Sequence, residues 1–172
     1  WQEAISRNDL GHWFMLHGDV AGAEDELRRG IEIATTLPYN ALALGVLHCT
    51  RAELRLRTGD AGGALHEAEV SLERHAAFDE PNPYLFGMTI RLEVQALPEL
   101  GRPDDARHCG ERAVEHLGDR VPQARSMILA SVATALREAG RVEEAFDALE
   151  RGAALERAAL QELAEALLGF ER

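Results

Sequence analysis

Residues 8–31 read NDLGHWFMLHGDVAGAEDELRRGI. Apolar and small residues run at helical spacing on both sides of Gly18-Asp19, which interrupts them. The same interruption returns at Gly59-Asp60, Gly101-Arg102 and Gly140-Arg141, at spacings of 41, 42 and 39 residues. An alanine stands five residues after each glycine: Ala23, Ala64, Ala106 and Ala145. Seven residues beyond each alanine comes another small residue: Gly30, Ser71, Ala113 and Gly152. A self-similar period of this length marks an architecture built by stacking one supersecondary unit.

The pattern has a direct physical meaning. Glycine adopts the left-handed conformation that ends one helix. Asp19 and Asp60 then serve as N-caps for the next helix, and Pro103 fits a first helical position, where its missing N–H costs nothing. The small residues at fixed offsets let the second helix of each unit press closely on the first. Each unit is therefore an antiparallel helical hairpin. Eight helices are predicted near 3–17, 20–36, 40–58, 61–77, 83–100, 103–117, 122–139 and 142–170. Pro38, Pro81, Asn82, Pro83, Gly118, Asp119 and Pro122 punctuate the connections between hairpins, with Asn82 as an N-cap. Pro98 falls inside the fifth helix and is expected to kink its last turn.

Composition agrees. The 172 residues include 28 Ala, 24 Leu and 18 Arg, against 13 Val and Ile together. These proportions favour helix over strand, so the fold class is all-α. There is no Lys, which excludes a P-loop lysine, a Schiff-base lysine and a Ser–Lys dyad. A net charge of −12 disfavours direct nucleic-acid binding and anionic membranes. No apolar run approaches the length of a membrane span. Cys49 and Cys109 make no disulfide framework and are expected as free thiols in a reducing, cytoplasmic compartment. The chain opens on Trp1 rather than Met, and no signal peptide is visible; a piece of a longer protein is expected.

The first unit resembles a tetratricopeptide repeat, with Leu10, Gly11, Phe14, Gly18, Ala23, Leu27 and Gly30 at the family's signature offsets. Ala52, Val94 and Ala133 replace the Gly11 equivalent in later units, and Gly110 stands where a larger apolar residue is usual. The units are longer than the standard repeat of about 34 residues, and in this they resemble those of bacterial signalling and transcriptional regulators. The resemblance implies an α-solenoid of four antiparallel helical hairpins over residues 1–155. It also implies a concave groove lined by the first helix of each hairpin. Carried over by offset, the groove residues are Asn8, His12 and Met15; Cys49, Glu53 and Arg57; Met88, Arg91 and Gln95; and Met127, Thr134 and Arg137. A methionine-bearing groove suits varied protein or peptide partners, although the same methionines also serve as core filler. Arg91 and Arg137 suit a peptide carboxylate, while exposed arginines also pair with nearby glutamates. The lysines with which some family members clamp a peptide's terminal carboxylate are missing.

The last helix runs on from Arg141 without a stop. Val142, Phe146, Leu149, Ala153, Leu160, Leu163, Leu167 and Phe170 follow steps of four and three, broken only at Glu156, where neighbouring Leu155 can substitute. This suits a coiled-coil seam. The extension over 156–172 is either a cap on the repeat array or a dimerising stalk through Leu160, Leu163, Leu167 and Phe170. Apolar Leu167, Leu168 and Phe170 argue for the stalk, and hence for a homodimer. The stretch ERAALQELAEALLGFER over 156–172 resembles the connector of actinobacterial tetratricopeptide proteins with a downstream GGDEF diguanylate cyclase domain. That likeness implies a regulatory piece without cyclase activity of its own.

Catalytic and metal signatures are weak. Glu143-Glu144 and Asp104-Asp105 sit at helix starts, where acidic residues complement the dipole. His48-Cys49 and His108-Cys109 are adjacent pairs whose side chains diverge on a helix, and His12 and His17 are off the spacing that shares one metal. No catalytic residue, metal ligand or cofactor is expected. The expected function is a non-catalytic protein- or peptide-interaction or sensory module of a bacterial signalling protein, acting on an effector through dimerisation. A transcriptional regulator's domain and a stand-alone scaffold are the alternatives.

Overall fold

The computed structural model describes residues 1–77, 82–119 and 121–169, the last four of them as backbone only. Among these residues the chain is all-helical, with eight helices and no strand. They are α1 (Gln2–Leu16), α2 (Val20–Thr35), α3 (Ala41–Arg57), α4 (Ala61–His75), α5 (Pro83–Glu99), α6 (Pro103–Leu117), α7 (Pro122–Glu138) and α8 (Val142–Gly169). Every expected helix is present, and α8 runs unbroken across the 155/156 boundary.

Four turns share one geometry. Gly18, Gly59, Gly101 and Gly140 have φ of +79°, +77°, +74° and +77°. After each, the next residue's N–H returns to a carbonyl five residues back: Asp19 to Phe14, Asp60 to Arg55, Arg102 to Leu97 and Arg141 to Leu136, at 2.8–3.0 Å. This pattern satisfies carbonyls left over at a helix end and reverses the chain within three residues. The Asp19 carboxylate then accepts from Gly22 N–H at 2.9 Å and Asp60 from Gly63 N–H at 2.8 Å. Asn82 caps α5 by accepting from the N–H groups of Tyr84 and Leu85. Pro103 and Pro122 occupy first-turn positions of α6 and α7. α5 passes through Pro98 and stops one residue later.

Packing follows the small residues. Ala23, Ala64, Ala106 and Ala145 are all buried, as are Gly30, Ser71, Ala113 and Gly152. A Cβ on Gly30 would lie 2.6 Å from Leu47 Cδ2, so this glycine fixes how closely α2 approaches α3. Consecutive helices pack on one another, and the odd helices α1, α3, α5 and α7 also touch in series. Among the described residues the backbones of the even helices α2, α4, α6 and α8 do not approach one another in this way, and Arg151 of α8 meets Glu111 of α6 only through side chains, at 3.8 Å. The apolar interior is accordingly divided. One cluster joins α1–α3 around Leu27 and Leu47, a small one joins Cys49, Ala52, Ala68 and Leu92, and a third joins α5–α8 around Ile128 and Leu136.

Candidate functional site

The twelve groove residues expected from sequence lie on the odd helices α1, α3, α5 and α7, in varied settings. Met15 is 5% exposed and belongs to the α1–α3 core. Asn8 is buried as well, its Oδ1 without a hydrogen-bond partner. Cys49 lies inside the middle cluster, with Met88 packed against it. Burial, slightly offset by the Thr89 hydroxyl and the Arg91 charge, pushes its thiol pKa up. His12 and Met127 are half-buried. Arg57 donates to Glu53 at 2.9 Å, one turn away on α3. Arg91 donates to Gln95 at 3.2 Å, and Gln95 reaches Ser131 Oγ across to α7 at 3.4 Å. Thr134 turns its hydroxyl back to Ala130 O, and Arg137 is exposed.

Five of the twelve are linked through Cys49: Met88 packs against its cluster, the charges of Glu53 and Arg91 act on its thiol, and Arg91 donates to Gln95. Gln95 and Thr134 also border a cavity of about 220 Å³ closed by Leu56, Pro98 and Ser131. Among the described residues, no three His, Cys, Asp or Glu side chains converge as a metal site.

A larger space lies on the opposite side, between the even helices. A cleft of about 540 Å³ opens between α4 and α6, with α5 as its floor. Leu65, Phe86, Ile90 and Leu97 give it apolar walls, and Glu93 and Cys109 sit at its base. Burial, helped by the charge of Glu69, raises the pKa of Glu93 against the opposing pull of Cys109, Arg102 and Arg112. Cys109 donates its S–H to Glu93, and burial together with that carboxylate pushes its thiol pKa up to about 12. Such a thiol is no nucleophile near neutral pH. Arg102 is held by Asp105 at 2.6 Å at the rim.

The preceding gap, between α2 and α4, is closed by charges. Arg51 of α3 donates to Glu24 of α2 at 2.6 Å and stands 3.3 Å from Glu67 of α4. His48 Nδ1 meets Glu67 at 2.6 Å. Burial alone would raise Glu67, but the His48 hydrogen bond and the Arg51 charge outweigh it and hold the carboxyl below its usual range. Arg55 links Glu24 toward Asp60 at the turn. In the gap between α6 and α8, Arg141 bridges Asp104 and Glu144.

Sequence reasoning passed over Glu93, Arg112 and Phe86. The signal was present in the repeat itself: Arg51 and Glu93 lie 42 residues apart, the spacing of Gly59 and Gly101. They hold the same place in successive units with opposite charge. No protein-family model matches this chain, and comparison with curated proteins finds no match.

Proposed function

We propose that this chain is a tetratricopeptide-like solenoid of four antiparallel helical hairpins. On this reading it is a non-catalytic module that binds protein or peptide in a bacterial cytoplasmic signalling protein. The observation that carries the proposal is the fourfold recurrence of one glycine turn, each followed by a buried alanine and a second buried small residue. Stacked units of this kind present extended surfaces suited to binding. Arg91, Gln95 and Glu53 supply polar contacts on the odd-helix face, beside the cavity bordered by Gln95 and Thr134. Among the described residues no helix is long and apolar enough to cross a membrane.

The last helix serves as a dimerising stalk toward an effector such as a GGDEF diguanylate cyclase domain. Its inner face packs Ala145, Ala148 and Gly152 on α7, while Val142, Phe146, Leu149, Leu160 and Leu163 remain 51–66% exposed. Glu156, the break in the apolar seam, accepts a hydrogen bond from Ser126 at 2.6 Å, and Leu155 packs on the core beside it. Leu167 is described only as backbone and Phe170 lies outside the described residues, so the stalk's end rests on the sequence pattern. The test is sedimentation of the chain and of the Leu160→Asp, Leu163→Asp double variant. A dimer that becomes a folded monomer supports the stalk; an unchanged oligomeric state leaves α8 as a cap. Peptide selection against the chain, repeated with Arg91→Ala, tests the groove.

A further inference from the structure

We infer that the cleft between α4 and α6 is a binding site for an organic cation, a guanidinium or ammonium group on an apolar stem, with Glu93 as its counter-ion. This goes beyond the odd-helix groove and does not depend on it, since the two lie on opposite sides of the helical array.

The argument rests on an internal comparison. In the α2–α4 gap, a guanidinium belonging to the chain, that of Arg51, fills the space over α3 and is held by carboxylates from both walls. One unit later the residue at that place is Glu93. Its neighbours at the places of Glu24 and Glu67 are Leu65 and Cys109, by the same offsets of 41 and 42 residues. The gap has exchanged its built-in cation for a carboxylate and has opened to a cavity of about 540 Å³. Glu93 interacts with Cys109 and feels the charges of Arg102 and Arg112, but burial outweighs them and leaves its carboxylate under-compensated. A half-buried carboxylate facing a cavity gains most from a cation that enters it.

The surrounding chemistry selects the kind of cation. Leu65, Ile90 and Leu97 favour an apolar stem over a hydrated metal ion. The Phe86 ring, 5.2 Å from the His116 ring, offers an aromatic surface near which a delocalised guanidinium stacks well. Glu69 adds a second negative charge on the α4 wall. Of the two rim arginines, Arg102 is paired with Asp105, and both Arg102 and Arg112 act on Glu93 as competing charges. A protein of net charge −12 also steers cations toward itself.

The cation can come from an arginine or lysine of a partner protein or from a free small amine. The test titrates the isotopically labelled chain with agmatine and, separately, with acetyl-Ala-Arg-Ala-amide, following backbone amide resonances. Saturable shifts centred on Leu65, Glu93 and Cys109 are expected with at least one probe. Agmatine alone assigns a free amine, and the peptide alone assigns a protein side chain. The citrulline version of the peptide, equal in shape but neutral, should bind about tenfold more weakly or worse. Glu93→Gln should produce a similar loss while thermal unfolding shows the fold retained. Leu65→Glu, which restores the carboxylate present as Glu24 in the earlier gap, should tighten binding. The inference is overturned by no saturable binding of either probe, by equal binding of the citrulline peptide, by an unaffected Glu93→Gln variant, or by phosphate displacing the cations at the same resonances.

Discussion

A Cβ placed on Gly110 of α6 would stand 2.3 Å from Cγ2 of Val132 on α7. Ile128 and Val94 crowd the same point at 3.3 and 3.5 Å. The missing side chain at this unit's apolar position is thus replaced by branched residues reaching in from α5 and α7. Gly110→Ala should destabilise the protein by about 1–3 kcal/mol through overpacking. Gly62→Ala, where a Cβ meets nothing within 4 Å, should instead stabilise by about 0.4–1 kcal/mol. Urea unfolding of the two variants checks the contrast, and equal effects would contradict it.

His75 is 1% exposed, and neither ring nitrogen has a hydrogen-bond partner. Burial holds its pKa below the ordinary 6.5. As pH falls, the unfolded chain therefore takes up a proton before the folded chain does. The stability tied to a neutral His75 is complete above pH 6.5 and drains away as pH drops from there toward the folded value. His75→Leu removes the titration without orphaning a partner. Its unfolding free energy should vary less with pH across this window than that of the parent, as denaturant curves on either side of pH 6.5 would show.

Tyr39 joins α2 to α3 with φ of 60° while its side chain is 98% exposed. A left-handed backbone costs an aromatic residue roughly 1–2 kcal/mol, and asparagine tolerates it better. Since no burial is lost, Tyr39→Asn should raise stability by about 1 kcal/mol. A lower melting temperature would count against this account of the turn.

With its pKa near about 12, Cys109 carries a thiolate fraction on the order of one in ten thousand at pH 8. Disulfide-exchange reagents should label it far more slowly than a free cysteine. Glu93→Gln removes the adjacent negative charge and should speed the reaction. A rate unchanged by that substitution would mean that burial alone governs the thiol.

Glu67 is the joint of the α2–α4 network. Glu67, itself 8% exposed, is the acceptor of His48 and the second carboxylate on Arg51, which keeps Glu24; Glu67→Ala should therefore cost roughly 2 kcal/mol. Chemical unfolding at neutral pH measures it. A loss no larger than that of Arg57→Ala, whose Glu53 pair is exposed, would argue against the network.

The helices were legible because the signals that bound them are local. Gly18, Gly59, Gly101 and Gly140, Asp19, Asp60, Asn82 and Pro103 act within a turn of the residues they cap. The fate of side chains along each helix was harder to read. Met15 and Cys49 went to the interior, while Arg91 and Gln95 met across one helix face; a slip of one residue turns a side chain by about 100°. His48-Cys49 illustrates the point: the imidazole reaches Glu67 on α4 and the thiol packs beside Leu92. The cleft could be seen only by knowing that α4 and α6 stand apart, a long-range relationship that no single segment encodes.

That separation has a mechanical consequence. The odd helices touch in series and act as a spine; the even helices are ribs with space between them. If the space between two ribs widened or narrowed, the spine would bend at the helix beneath. At the α4–α6 cleft that helix is α5. A ligand drawn into the space would work as a wedge, and its thickness would be converted into an angle at the far end of the array, where α8 sets the direction in which the chain leaves.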